Sequence, residues 1–404
     1  MNFSFIHCAD IHLDSPMQGL DGTLREKLPP GLLENLTRNA WVRLIDEAIA
    51  KQVAFVTVAG DLYDGDWKDY RTGLFFAAQA QRLQQVGIPL IILLGNHDAQ
   101  SKLTKSLTLP DNVQILDHKK PQTILLAPYQ TAIHGWSYPR AAMHENMVVE
   151  YPEAHPDFFN IGLLHTAMDG REGHDPYAPC RKQDLLALHY HYWGLGHAHT
   201  CEALHTDPPI WYSGNLQGRH IRETGAKGYL QVDVTDQQVT QVTHCPVDDL
   251  RWAHVNLSLE ETEPHVWLQA IRTHLQSNHQ DSPLLVRLTL HGRSPLFKDL
   301  DHLYAECDVA AQEISHQLWI EKIRIKAPKQ TANLSSGNRH DLLSLVAELA
   351  QDPEQQHFIQ AAMLEQMRGP AKKRLEAIIQ EGALNTALEE GLALLDARLS
   401  EGEA

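Results

Sequence analysis

The chain has 404 residues, enough for two or three domains, and its 43% hydrophobic and 21% charged residues are ordinary for a globular protein. No apolar run is long enough to cross a bilayer and no signal peptide is recognisable, so we expect no membrane association. The net charge of −17 argues against a general nucleic-acid coat, while five scattered cysteines favour a reduced, cytoplasmic protein and 25 histidines favour a metalloenzyme.

The first hundred residues predict alternating strands and helices. A strand at FSFIHCA is followed by a helix over 36–51, a strand over 53–60, a helix near 72–86 and a strand over 88–95. Unbroken apolar strands suit a sheet that is covered on both faces. From there to about residue 247, short strands separated by turn residues predict that the sheet continues into a second, packed sheet.

The second half changes character near residue 248. Residues 254–328 predict strand, helix, strand, helix and strand, which is a compact α+β unit. A polar stretch at 329–338 predicts a linker, and 339–404 predicts helices broken at Gly369-Pro370. We therefore expect a first domain over 1–248, a second over 249–328, the linker and a helical tail.

Three successive predicted strands end in polar residues. The first ends at Asp10 and His12, the second at Asp61, and the third at residues 96–98, NHD. Side chains two positions apart on a strand share a face, so Asp10 and His12 could hold one ion, although this motif alone is more often a buried ion pair or a turn cap. The carboxyl ends of strands in an open α/β sheet form the ligand crevice, so three such ends together favour a site.

Two further predicted strands end in histidines. His165 closes FFNIGLLH, and His197 and His199 follow YWGLG with their imidazoles on one face. His189 and His191 have the same spacing but begin their strand, so we expect a surface or packing role for them.

Two other histidines are weighed separately. His7 lies within the first strand and is expected to be a satisfied core residue, whereas His134 is near another strand end and could line the site.

This ordered set of five motifs resembles the calcineurin-like metallophosphoesterase superfamily over roughly residues 1–230. The resemblance implies an α/β protein with a four-layer α/β/β/α sandwich. The stretches FIHCADIHLDSP, GDLYD, WGLGHAHT and NLQGRHIRE are similar to SbcD-type DNA repair exonucleases, in particular to their YhaO-like branch, over about the first 330 residues. That likeness implies a small α+β capping domain, cleavage of DNA phosphodiesters and an SMC-like (SbcC-type) coiled-coil ATPase as partner, bound through C-terminal helices.

The family pattern also implies the roles of individual residues. Asp61 would bridge two metal ions, the first completed by Asp10, His12 and His199 and the second by Asn96, His165 and His197. Mn²⁺ is expected, and Fe²⁺ or Zn²⁺ would suit the same thiolate-free ligands. His97 would face the leaving group as a general acid or stabilise charge. Asp64 and Asp98 would either orient ligands or only cap their turns.

A glycine-containing loop over 213–228 holds several basic residues. Arg219, His220, Arg222 and Lys227 would be natural contacts for a nucleic-acid backbone, although a solvated turn is the alternative.

We predict a two-metal DNA exonuclease that acts in DNA repair. One alternative keeps the chemistry and changes the substrate, giving a phosphodiesterase for small nucleotides or a phosphatase. Another is a non-catalytic scaffold for an ATPase, which the eight intact site positions disfavour. Whether the C-terminal helices dock a partner or pack on their own chain stays open, as does a homodimer.

Overall fold

The structure, a computed structural model, describes residues 2–20, 22–64, 70–100, 108–168, 177–259, 263–279, 282–292 and 294–326. All of them belong to one compact unit, Met1–Pro328. The predicted linker and helical tail therefore lie outside the described residues. Within the described ranges, none of the helices has both the length and the apolar character that crossing a membrane requires.

Fifteen strands and six helices make up the described chain. The strands are β1 Asn2–Cys8, β2 Val56–Ala59, β3 Leu90–Leu93, β4 Val113–Ile115, β5 Gln122–Leu126, β6 Thr131–Gly135, β7 Phe159–His165, β8 Tyr192–Gly196, β9 Glu202–Thr206, β10 Pro209–Tyr212, β11 Gly228–Thr235, β12 Gln238–Pro246, β13 Arg251–Ser258, β14 Leu284–His291 and β15 Leu318–Lys326. The helices are α1 Gly22–Lys27, α2 Leu36–Ala50, α3 Tyr70–Gln85, α4 Lys182–Leu186, α5 Pro264–Asn278 and α6 Leu300–Ile314.

Two six-stranded sheets form the larger part of the molecule. The first has the order β12-β11-β1-β2-β3-β4 and is parallel from β1 to β4. The second has the order β5-β6-β7-β8-β10-β9 and is parallel from β6 through β10. Parallel neighbours bring their carboxyl ends to one edge, so the polar residues after β1, β2 and β3 meet there.

The two sheets face each other across an apolar layer. Phe5 and Phe55 stack within it at a centroid distance of 4.9 Å, and Ile161 and Leu163 of the second sheet pack against the same layer. Helices α2 and α3 cover the outer face of the first sheet through residues such as Trp41. The outer face of the second sheet is covered by the short α4 and by irregular segments. The predicted four-layer sandwich is confirmed, and its fourth layer is thin.

Some sequence predictions need adjustment. Strands β2 and β3 have only four residues each, because the polar ends of the predicted segments already belong to the loops of the site. The short elements α1, α4 and β9 were not predicted; with five or six residues each, they show no clear hydrophobic period.

A third sheet follows, with the parallel order β13-β14-β15. Helices α5 and α6 pack on one of its faces, burying residues such as Trp267 and Leu303 against Val286 and Leu288. Its beginning packs against the first part of the chain through a junction cluster, which consists of Met17, Leu24, Leu28, Leu36, Leu250, Trp252, Leu285 and Trp319. This apolar contact fixes the third sheet beside the two-sheet sandwich.

Candidate metal centre

The site forms at the carboxyl ends of β1, β2, β3, β7 and β8. Several of its residues have left-handed backbone conformations, with φ of 50° at Asp10, 43° at His12, 52° at Asp61 and 96° at His197. Such conformations are strained for residues other than glycine and occur most often at functional sites. They turn the chain sharply as each strand ends, and this directs the side chains toward one point.

One group of side chains consists of Asp10, His12 and His199, whose ligand atoms all lie within 4.8 Å of one another. The Nε2 atoms of His12 and His199 are 3.3 Å apart, and the Nε2 atom of His199 is 3.8 Å from Oδ1 of Asp10. His12 also approaches Asp61, with Nε2 3.8 Å from Oδ2. Asp61 therefore lies beside the first group.

A second group surrounds the same carboxylate. Nε2 of His165 is 3.4 Å from Oδ2 of Asp61 and 2.9 Å from Oδ1 of Asn96. The Nδ1 atom of His165 is 3.0 Å from the carbonyl oxygen of Ala59, an arrangement that leaves Nε2 for the site when Nδ1 carries the proton. His197 packs edge-on against His165 with ring centroids 5.3 Å apart. The structure thus brings all seven predicted ligands together, with Asp61 between the two groups.

Donor chemistry decides whether these residues fit metal ions. Imidazole nitrogens and carboxylate oxygens converge in a buried space, and Nδ1 of His12 has no hydrogen-bond partner among the described residues. Burying carboxylates and imidazole lone pairs together is unfavourable unless a cation neutralises them. Mixed Asp, Asn and His ligands without thiolate suit divalent Mn, Fe or Zn. The residues present therefore fit a pair of divalent cations.

Asp61 is already poised as an anion. Burial alone would raise its pKa, but the neighbouring His165 outweighs that effect and holds the pKa of Asp61 well below its usual range. Its other oxygen, Oδ1, accepts a hydrogen bond from the backbone amide of His97 at 3.0 Å. Two anchors thus orient the carboxylate between the two groups.

His97 and Asp64 form a pair at the edge of the site. The His97 side chain is 42% exposed, and its Nδ1 atom is 2.9 Å from Oδ1 of Asp64. This hydrogen bond raises the pKa of His97. Asp64 in turn accepts a hydrogen bond from Oγ of Ser15 at 2.7 Å. Of the two roles considered for Asp64, the structure favours orientation of a functional histidine.

Asp98 has the other role. Its carboxylate accepts backbone N–H bonds from Leu62, Tyr63 and Gly95 at 3.1, 2.8 and 2.9 Å. These bonds tie the loop after β2 to the loop after β3. The structure therefore favours turn capping for Asp98, which positions Asp61 and Asn96 only through the backbone.

Glu223 is a residue of the site that sequence reasoning missed. It is buried, and its Oε1 atom accepts a hydrogen bond from Nδ1 of His199 at 2.5 Å. Its other oxygen accepts bonds from the backbone amide of Arg219 at 2.6 Å and from Nδ2 of Asn215 at 3.1 Å. A carboxylate on the far nitrogen of a metal-binding histidine fixes its tautomer and raises its basicity. The available signal was that Glu223 is the single acid in the basic loop.

The basic loop itself is only partly available to a ligand. Arg219 is buried, with Nη1 2.9 Å from Oγ of Ser15 and 3.5 Å from Oδ2 of Asp64. Lys227 is also buried, and its ammonium donates to the carbonyl of His199 at 2.7 Å. Both cations therefore support the site from within, contrary to the surface position that a phosphate contact requires. Arg222 is exposed and His220 is half-buried, and these two keep that candidate role.

Three other candidate histidines, His7, His134 and His191, lie away from the metal centre. His7 is buried, with Nδ1 2.9 Å from the Tyr192 hydroxyl and Nε2 3.2 Å from the Leu195 carbonyl, as expected for a core residue. His134 packs between Thr123 and Asn160 within the second sheet and does not line the site. His191 precedes β8, at the opposite end of that strand from His197.

Comparison with known proteins gives the family. The model of the calcineurin-like phosphoesterases matches residues 3–201, and that of the middle domain of metallophosphoesterase YhaO matches residues 252–327. The chain therefore belongs to the calcineurin-like phosphoesterases and is a metal-dependent phosphoesterase. Within this family it is 33% identical over 306 residues to the uncharacterized metallophosphoesterase YhaO of Bacillus subtilis, covering 73% of each chain.

Two more distant similarities complete the comparison. The DNA double-strand break repair protein Mre11 of Sulfurisphaera tokodaii is 23% identical over 308 residues, which cover 72% of this chain and 73% of Mre11. A crystal structure of a dimetal phosphatase from Danio rerio matches with a TM-score of 0.35 and 11% identity over 58% of this chain and 93% of that one.

Proposed function

We propose that this phosphoesterase is a two-metal DNA exonuclease that acts in DNA repair. The observation that carries the proposal is the convergence of two groups of ligands on Asp61, with His97 beside them at the surface of the site. The similarity to Mre11 supports DNA as the substrate. We also propose the division of the chain into a catalytic domain over 1–248 and a capping domain over 249–328.

In this proposal Asp10, His12 and His199 would hold one ion, Asn96, His165 and His197 would hold the other, and Asp61 would serve both. When bound, two divalent cations, proposed to be Mn²⁺, supply Lewis-acid polarisation of the phosphate and a nucleophile at neutral pH. Glu223 holds the His199 ring in the orientation that the first ion requires.

His97 acts on the leaving group. Asp64 holds its Nδ1–H, so the protonated ring can donate from Nε2 to the oxygen that leaves the phosphorus. The exposure of His97 places this proton where a bound strand would pass. Arg219 stabilises Asp64 as an anion from the buried side.

The test is Mn²⁺-dependent digestion of end-labelled DNA by the wild type and by Asp61→Asn, which keeps the size of the side chain and removes the bridging charge. We expect the variant to digest DNA at least about a hundredfold more slowly, because a pair of metal ions needs a bridging carboxylate. Hydrolysis of bis(nitrophenyl) phosphate is measured in parallel.

Each outcome has a distinct meaning. Cleavage of bis(nitrophenyl) phosphate without DNA digestion would favour the phosphodiesterase for small nucleotides. Inactivity toward both substrates would favour the scaffold.

The partner is a further part of the proposal. An SMC-like coiled-coil ATPase would add DNA affinity to a chain whose net charge of −17 opposes the approach of DNA. Docking through residues 339–404 and a homodimer remain predictions, since the tail lies outside the described residues.

A further inference from the structure

The three-stranded sheet of residues 251–326 has two unlike faces. One is covered by α5 and α6. The other begins with Trp252, Leu285 and Trp319 in the junction cluster and continues toward the carboxyl ends of the strands with polar side chains. No helix of the described chain covers that continuation, and side chains on it such as His254, Asn256 and Lys322 are exposed.

The strand register places basic residues side by side on this continuation. Lys322 lies beside Arg287, Arg324 beside Thr289, and Lys326 beside His291. Lys322, Arg324 and Lys326 are exposed, and within the described part of the chain no carboxylate forms an ion pair with them. We call these three residues the basic sheet face. They repeat every second residue, at intervals of about 6.6 Å along β15.

The nearest acid does not neutralise this face. Glu321 is buried and occupied by Arg287, whose Nε and Nη2 atoms donate to its two oxygens at 2.6 and 2.5 Å. His254 on β13 lies near the same positive charges. Burial lowers the pKa of His254, and Arg287, Arg324 and Lys326 lower it further.

Charge is sorted between the two layers of this domain. Helix α6, on the other side of the sheet, carries Asp301, Glu306, Asp308 and Glu313. In a chain with 51 acidic and 34 basic residues, three unpaired cations on one strand face run against the overall charge. The sorting therefore points to an anionic ligand for the sheet face.

The basic sheet face is connected to the metal centre. Nε1 of Trp252 donates to the carbonyl of Gly218 at 3.1 Å, and the amide of Gly225 donates to the Trp252 carbonyl at 3.0 Å. Ile221 of the same loop packs against the junction cluster. This loop carries the exposed Arg222 and also Glu223, which holds His199. Strand β15 runs about 23 Å from Trp319, in the junction cluster, to Lys326 at the far end of the basic sheet face.

We propose that the basic sheet face binds the phosphate backbone of the DNA whose end enters the metal centre. The inference rests on the proposed function and assigns a role to the middle domain. Lys and Arg side chains that contact phosphates read no bases, so we expect this binding to be independent of sequence. The loop with Arg222 lies between this face and the metal centre and would continue the contact.

The test replaces all three cations in the full-length protein, as Lys322→Gln, Arg324→Gln and Lys326→Gln together. DNA affinity is measured by fluorescence anisotropy of a labelled duplex in EDTA from 50 to 200 mM salt. If each cation meets one phosphate, the salt slope should fall by about 2.7 and affinity by about tenfold or more. Hydrolysis of bis(nitrophenyl) phosphate with Mn²⁺ should stay at the wild-type rate.

The matched control removes the same charge elsewhere, as Lys51→Gln, Arg82→Gln and Arg272→Gln together. Lys51 lies directly after α2, Arg82 lies on α3 and Arg272 lies on α5. Each of the three is paired with a carboxylate. The control should keep more of the DNA affinity than the test variant. Equal losses in both variants would show a mere net-charge effect and overturn the inference.

Three other results would also overturn it. An unchanged salt slope, together with faster proteolysis of residues 329–404, would identify that acidic segment of the chain as the occupant of the face. A wild type that binds no DNA yet hydrolyses bis(nitrophenyl) phosphate would overturn the DNA substrate as well. A wild type that binds and digests DNA while the triple variant does so equally well would leave the proposed function standing and remove only the role of this face.

Discussion

At the scale of single residues, His97 is the clearest case of a side chain set apart from its neighbours. It is more exposed than the candidate ligands around it, and Asp64 both orients it and raises its pKa. Asp10, His12 and His165 are buried instead, with their ligand atoms turned toward Asp61 or one another. The same residue type thus has two roles, which burial and hydrogen-bond partners distinguish.

His97→Ala should affect cleavage according to the leaving group. An alkoxide leaving DNA needs a proton, so DNA cleavage should fall about 10²–10³-fold. The nitrophenolate ion leaves without one, so hydrolysis of bis(nitrophenyl) phosphate should fall less than about tenfold. Rates on both substrates and Mn²⁺ binding by calorimetry check this, with the exposed His302→Ala on α6 as control. Equal losses on both substrates would remove the general-acid role.

Glu223 shows how a site residue escapes a search for motifs. Its partner His199 is 24 positions away in the chain, and the carboxylate reaches it only because the loop after β10 folds back over the end of β8. The same fold buries Arg219 and Lys227, which as sequence looked like surface cations.

At the scale of elements, strand β1 combines packing with site placement. Phe5 packs between the sheets, His7 bonds across to the second sheet, and Asp10 and His12 follow directly. Nε2 of His7 donates to the Leu195 carbonyl, and in a neutral ring Nδ1 accepts a hydrogen bond from the Tyr192 hydroxyl. Burial lowers the pKa of His7 to about 3, which favours this neutral ring.

This shift predicts a pH dependence of stability. The folded pKa of about 3 lies below the unfolded value, so below about pH 6.5 the unfolded chain binds a proton that the folded one does not. The free energy of unfolding should therefore decrease as pH falls, with His7 contributing about 1.4 kcal/mol per pH unit. His7→Gln should lack this contribution.

Urea unfolding at pH 7.5, 6 and 5 tests the prediction. The stability difference between wild type and His7→Gln should shrink as the pH is lowered, whereas the exposed His302→Gln should follow the wild type in parallel. A difference that is constant over this range would contradict a neutral buried His7.

Glycine is required at one element boundary in particular. Gly60 ends β2 with a φ of 99°, and a Cβ atom there would collide with the ring of His165. Gly60 thus permits both the turn that precedes Asp61 and the close approach of the His165 ring.

At the scale of the whole molecule, the junction cluster couples the two parts of the described chain. Trp319 is nearly buried there against side chains such as Met17 and Leu24. The seven candidate ligands all lie in the sandwich, whereas the contacts between the junction cluster and the loop of Glu223 run through Trp252 and Ile221. If DNA is the substrate as proposed, a long strand would also need the third sheet held in place.

Trp319→Ala should affect DNA digestion more than hydrolysis of bis(nitrophenyl) phosphate. Loss of the indole from a packed cluster destabilises by about 3–5 kcal/mol, so residues 251–326 should become easier to cleave by protease. DNA digestion should fall, while hydrolysis of bis(nitrophenyl) phosphate should stay within about twofold of the wild type. Trp319→Phe retains much of the apolar area and should restore DNA digestion. Parallel loss of both activities would place the third sheet within the catalytic unit itself.

The sequence by itself determined the order of the main strands and helices and the positions of the seven candidate ligands. Buried strands keep an apolar period that polar residues at their carboxyl ends interrupt, and the resemblance to the metallophosphoesterases separates the seven ligands from the neighbouring His97 and Asp98. Only the tertiary structure decided which residues are in contact. The contact of Glu223 with His199 and the burial of Arg219 and Lys227 depend on loop paths, which bring together residues far apart in the chain and leave no periodic signal. The alternating cations of β15 are visible in the sequence, but strand register decides which side chains flank them.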